Sequence, residues 1–142
     1  MTSKKILIAH QDDASVSSLS ALFQGLGYGV EKAGEVGGII RRIRNDQIHV
    51  VLIEDELDGV KAWDLVSLIK KINSRVQIIV ISSEESIEPA KRLRRAGIFY
   101  QAMKPLDLEE IGAAVKCAFE KVERENPKES FFSFLVPQLV PA

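Results

Sequence analysis

Residues 49–63 read HVVLIEDELDGVKAW. Four consecutive apolar residues, Val50, Val51, Leu52 and Ile53, predict a strand covered on both faces, as central parallel strands are. The run then turns acidic at Glu54, Asp55, Glu56 and Asp58, and a helix is expected from about Ala62. Carboxylates at the C-terminal end of a buried parallel strand lie where open α/β sheets place their sites.

Working outward, each flank repeats the alternation of short apolar run and amphipathic helix. Ile6 to Ala9 predict a first strand, followed by the polar loop His10-Gln11-Asp12-Asp13. Asp12 or Asp13 can cap the next helix, which is expected to bury Val16, Leu19, Leu22, Phe23 and Leu26. Gly25, Gly27 and Gly29 follow that helix. A dinucleotide fingerprint runs from strand into helix, so these glycines read as a helix C-cap. Residues 28–33 predict a second strand, and residues 35–44 a helix with Val36, Ile39, Ile40 and Ile43 on one side. After the opening stretch, Trp63, Val66, Ile69 and Ile72 mark a third helix. Residues 76–81 predict a fourth strand ending at Ser82-Ser83. Residues 86–96 predict a helix with Ile87, Ala90 and Leu93 inward. Residues 98–103 predict a fifth strand closed by Lys104-Pro105. A last helix over residues 107–125 is expected to bury Leu108, Ile111, Val115, Ala118 and Val122. Five strands alternating with five helices, joined by short right-handed crossovers, predict a flavodoxin-like (βα)5 doubly wound parallel sheet of strand order 2-1-3-4-5.

The chain of 142 residues is long enough for one domain with a core. A formal net charge of −1 points to neither nucleic acid nor acidic lipid. The single cysteine, Cys117, lies among alanines and reads as a small core thiol; it excludes an internal disulfide and suits a reducing cytosol. No apolar run approaches a membrane span, so a cytoplasmic location is expected. Two regions are expected: a domain over residues 1–125, and a tail over residues 126–142. The tail carries Phe131, Phe132, Phe134 and Leu135, is broken by Pro127, Pro137 and Pro141, and is expected to dock on its own domain or on a partner.

From about Lys4 to Glu125 the sequence resembles the receiver domain of bacterial two-component response regulators. KKILIAHQDD stands where that family has its first strand and acidic pair. HVVLIEDELDGVKAW stands on the phosphoacceptor strand, IIVISS carries the switch hydroxyl, and AGIFYQAMKPL carries the Lys-Pro that ends the fifth strand. The resemblance implies an aspartate that accepts a phosphoryl group from a histidine kinase, beside Mg²⁺ held by acidic residues. It also implies that a lysine pairs with the phosphoryl oxygens. The switch hydroxyl donates to them in the active conformation, which repositions the fourth helix and fifth strand.

Carried over residue by residue, the switch hydroxyl falls on Ser82 and the lysine on Lys104. The phosphoacceptor position falls on Glu54, the acidic pair on His10 and Gln11, and the aromatic switch position on Gln101. Neutral His10 and Gln11 remove the negative charge that would hold Mg²⁺, so the metal site is expected to be lost and no cofactor is expected. Glu54 is one methylene longer than aspartate and loses the in-line geometry of phosphoryl transfer. Its carboxylate is expected to pair with Lys104.

The leading expectation is therefore an atypical, unphosphorylated receiver-like module, not an enzyme, acting through protein–protein contacts. Self-association through the fourth helix, fifth strand and fifth helix is one such contact; direct binding of nucleic acid or membrane is not expected. Two other readings stay open. One is a phosphorylatable receiver using Asp55, or one in which Asp12 swings in to hold a cation weakly. The other is a flavodoxin-like small-molecule-binding domain.

Overall fold

The computed structural model describes residues 4–83 and 87–125. Its elements run β1 (Lys5–Ala9), α1 (Asp13–Gly25), β2 (Gly29–Ala33), α2 (Val36–Asn45), β3 (Val50–Glu54), β4 (Glu56–Leu57), β5 (Val60–Lys61), α3 (Ala62–Ile72), β6 (Gln77–Ser82), α4 (Ile87–Ala96), β7 (Tyr100–Met103) and α5 (Leu108–Glu125). Five strands form one parallel sheet in the order β2-β1-β3-β6-β7, the doubly wound order that the alternation predicted. Residues 126–142, with the apolar tail, lie outside the described residues, as does the expected helix start at Ser86.

β3 is the central strand, and its apolar run divides cleanly between two cores. Val51 and Ile53 pack beneath α2, α3 and α4, with Leu7, Ile39, Ile43, Leu65, Val66, Ile69 and Leu93. Val50 and Leu52 pack beneath α1 and α5, with Ile6, Ile8, Leu19, Phe23, Ile111, Val115 and Phe119. Adjacent strand residues point to opposite faces, so four apolar residues in a row are what two helical layers require. α1 ends at Gly25 and is closed through Gly27, whose φ of +91° lets Tyr28 N–H donate to Phe23 O and Gly27 N–H to Gln24 O, each at 3.0 Å. That hydrogen-bond pair closes the helix as its glycines suggested.

Several expected core positions are surface positions. Leu26, Ile87 and Leu108 are exposed. Each sits at or just beyond a helix end, where the apolar period outlasts the contact with the sheet. Cys117 is also exposed; on α5 the inward side belongs to Ala114, Val115, Ala118 and Phe119. The fifth strand starts at Tyr100, not Ile98, and the second at Gly29, not Tyr28.

One element was not foreseen. Between β3 and α3 the chain makes a small antiparallel hairpin, β4–β5, turning at Asp58 and Gly59 with φ of +54° and +77°. Two successive positive φ values are those of a tight hairpin turn that Asp-Gly favours. Leu57 is fully buried and anchors the hairpin, while Lys61 Nζ meets Glu56 Oε1 at 2.8 Å.

Candidate functional site

The parallel register brings the C-terminal ends of the strands level. Ala9 pairs with Ile53, Glu54 with Ile81, and Ser82 with Met103. The residues that follow each strand therefore gather at one edge of the sheet, and His10, Glu54, Ser82 and Lys104 come together there.

Glu54 is the centre of the group. Its Oε1 lies 3.1 Å from His10 Nε2 and 3.2 Å from Lys104 Nζ. The geometry fixes the imidazole tautomer. The main-chain N–H of Asp12 donates to His10 Nδ1 at 3.0 Å. A main-chain nitrogen can only donate, so Nδ1 carries the lone pair, and Nε2 carries the proton that it donates to Glu54. His10 is buried, at 7% exposure. Burial is the largest influence on its pKa and lowers it; Glu54 raises it, Lys104 lowers it and Asp12 raises it, with a net downward shift. The imidazole is thus neutral near pH 7. Glu54 accepts one charge-assisted bond from a neutral donor and one from an ammonium, both on the same oxygen.

The other residues singled out in the sequence take different places. Gln11 turns away, its Nε2 donating to Gly34 O at 3.3 Å on the β2–α2 connection. Asp12 caps α1: its Oδ2 accepts from Ser15 N–H at 3.1 Å and from the Ser15 hydroxyl at 2.6 Å. The Ser15 hydroxyl is the main reason that its pKa is lowered. Asp55 faces β6, its Oδ2 accepting from Ser83 N–H at 2.9 Å. Ser82 is fully buried, and its carbonyl accepts from Lys104 N–H at 2.9 Å. Gln101 is half-buried, opposite Val80 in the register. Lys104 precedes Pro105 through a cis peptide.

Sequence reading missed two participants. His10 figured there only as the loss of an acidic ligand, although its side chain is a donor to Glu54. Ser83 was noted as a strand end and not as the partner of Asp55. Topology signalled both, since each stands just beyond a strand that flanks β3.

Comparison with known proteins places these observations. The family model described as the response regulator receiver domain matches residues 6–116. The DNA-binding transcriptional regulator NtrC of Azospirillum brasilense is 28% identical over 118 residues, covering 83% of this chain and 24% of the relative. Sporulation initiation phosphotransferase F of Bacillus subtilis is 22% identical over 116 residues, covering 82% of this chain and 94% of the relative. The chain thus spans about a quarter to a third of the length of the transcriptional regulators it matches. Among solved structures, the CheY-like receiver domain protein of Methanospirillum hungatei JF-1 superposes with a TM-score of 0.83 at 24% identity, covering 88% of this chain and all of that one. The beryllofluoride-activated NtrC4 receiver domain dimer superposes with a TM-score of 0.78 at 22% identity, covering 83% of this chain and 98% of that one. With a family match over most of its length and the same sheet order, this chain belongs to the response regulator receiver domains of two-component signalling.

Proposed function

We propose that this receiver works without aspartyl phosphate and acts as a protein-interaction module whose phosphoacceptor position carries a built-in charge. The observation that supports this most is the Glu54 carboxylate, held at 3.1 Å by His10 and at 3.2 Å by Lys104. The lysine that would meet phosphoryl oxygens already has an anionic partner on the chain itself.

The donor set speaks against Mg²⁺. That ion takes hard oxygens in near-octahedral geometry. Here the position of the acidic pair offers an imidazole, with Nδ1 engaged by Asp12 N–H, and an amide turned towards Gly34. Among the described residues no cluster of three or more His, Cys, Asp or Glu side chains is placed to hold a metal ion. Asp12, the carboxylate that could have replaced a ligand, is occupied as a helix cap. Asp55, the substitute acceptor, is occupied by Ser83.

Output then runs through contacts with other proteins. α4, β7 and α5 form the face proposed for them. Lys91, Arg94 and Arg95 are exposed on α4, and Glu109 and Glu120 are exposed on α5. A second copy of the chain offers each set its complement. The proposal is tested by incubating the protein with magnesium and a small phosphodonor and measuring intact mass. The expected spectrum contains the unmodified chain alone. A stable adduct of one phosphoryl group overturns the reading.

A further inference from the structure

The net charge of −1 averages two faces of opposite sign. α2, α3 and α4 cover one face of the sheet and pack against one another in that order. Each runs back from the C-terminal edge of the sheet, so their last turns stand side by side where the strands begin. Each last turn carries two cations: Arg42 and Arg44, Lys70 and Lys71, Arg94 and Arg95. Cations are ordinary at helix C-termini, because they offset the negative end of the helix dipole. On α2 and α3 one cation of each pair is used within the fold. Arg42 meets Glu31 at 3.0 Å and Asp46 at 3.1 Å. Lys70 Nζ donates to Ser74 O at 3.2 Å and to Val76 O at 2.6 Å. On α4, Arg92 stacks over the Trp63 ring at 5.1 Å. The remaining cations, Arg44, Lys71, Lys91, Arg94 and Arg95, are exposed and have no partner among the described residues. The carboxylates of this layer lie elsewhere. Asp64 and Glu88 stand in first turns, at the opposite edge, and Glu35 is held by Arg41. Glu125 reaches the rim from α5, but Lys121 and Gln77 engage it. Five like charges therefore repel one another along this rim without an internal counter-charge.

We propose that this rim binds the phosphate backbone of double-stranded DNA without reading its sequence. Packed helices lie about 8–10 Å apart, so three helix ends span about 16–20 Å. Each strand of the duplex places a phosphate about every 3.4 Å along the axis, so about five fall within that span. Three of the five cations are arginines, whose forked donors suit phosphate oxygens. A protein partner asks instead for an apolar centre with aromatic anchors. Among the described residues this layer exposes no aromatic ring; Leu68 is 36% exposed, and Ile87 lies at the far end of α4. The lack of an aromatic platform also favours the paired duplex over an unpaired strand. The acidic α5 lies across the sheet, and exposed charges are screened beyond about 8 Å at physiological ionic strength, so it does not cancel the attraction. Binding at the rim is independent of whether the chain accepts a phosphoryl group at the other edge.

The test is fluorescence anisotropy of a labelled random-sequence DNA duplex titrated with the whole chain. Micromolar binding is expected at about 50 mM salt, weakening on the order of a hundredfold by about 200 mM as counterions are released. Lys71→Glu and Arg44→Glu lie outside the α4–β7–α5 face. Each should weaken binding by about fivefold at low salt and reduce the slope of log Kd against log salt by about one. Lys71→Gln removes the charge without setting a carboxylate against the helix dipole, and should move both readouts in the same direction by less. Lys116→Glu, exposed on α5, changes the net charge equally and should stay within about twofold of wild type. No anisotropy change at low salt overturns the proposal, and so does an equal loss with Lys116→Glu. Equal or tighter binding to polyglutamate or to phosphatidylserine vesicles overturns the assignment to DNA.

Discussion

Glu54 owes its position to two donors of unequal kind. Lys104 is 42% exposed at its side chain, and a pair with one solvated partner contributes about 1 kcal/mol or less. Lys104→Met is therefore expected to lower the unfolding free energy by no more than about 1 kcal/mol in urea titrations. His10 carries a pH dependence. Its pKa is lowered chiefly by burial, so the unfolded chain takes up this proton at a higher pH than the folded chain does. The stability that neutral His10 contributes is complete above the ordinary histidine pKa of about 6.5, and is lost as pH falls from there through its lowered folded value. Protonation would also turn Nδ1 into a donor facing the Asp12 N–H, which removes that hydrogen bond. The Tm advantage of wild type over His10→Asn should shrink as pH drops from about 7.5 to about 5.5. A constant difference across that range contradicts the assignment. The sequence could not show the His10–Glu54 contact. It lies between residues far apart in the chain and depends on the ring orientation set by Asp12 N–H.

At the scale of elements, the sheet was legible because its strands are buried on both sides. Val50 to Ile53 and Ile78 to Ile81 have no alternative to a two-layered environment, and their order follows from crossover handedness. The hairpin was harder to read, since strands of two residues are too short to show an alternating pattern. Its signal was Asp58-Gly59 flanked by Leu57 and Val60. Leu57 is fully buried, so Leu57→Ala is expected to cost about 2–5 kcal/mol by denaturant unfolding. Gly59 has open space around its Cα, so Gly59→Ala meets no neighbour. Its cost of about 1 kcal/mol comes only from the positive φ. A larger loss at Gly59 than at Leu57 would show that the turn, and not the buried anchor, holds the hairpin. The helix ends misled in the opposite way. Leu26, Ile87 and Leu108 continue an apolar period past the point where a sheet lies beneath it, and period alone does not mark that point.

At the scale of the whole molecule, a net charge of −1 conceals a separation of charge between the two helical layers. α2 and α4 carry Arg41, Arg42, Arg44, Lys91, Arg92, Arg94 and Arg95 against Glu88 alone, while α5 carries Glu109, Glu110, Glu120, Glu123 and Glu125 against three cations. If the α4–β7–α5 face joins two copies, association should weaken as salt rises, because exposed charges are screened over a Debye length. Sedimentation velocity should show the larger species declining towards about 0.5 M salt, and Lys91→Glu with Arg95→Glu should abolish it at low salt. Neither charge set was hidden in the sequence; what was hidden was that the fold places α2 and α4 on one face of the sheet and α5 on the other. At the centre of the whole account, Glu54 Oε1 is held by His10 and Lys104 in a donor set that offers a divalent cation an imidazole and a turned-away amide where it needs anionic oxygens. A magnesium titration followed by amide chemical shifts measures that directly. Residues 10–13, 54–56 and 104 are predicted to show no saturable shift; a saturable response centred on Glu54 would contradict the account.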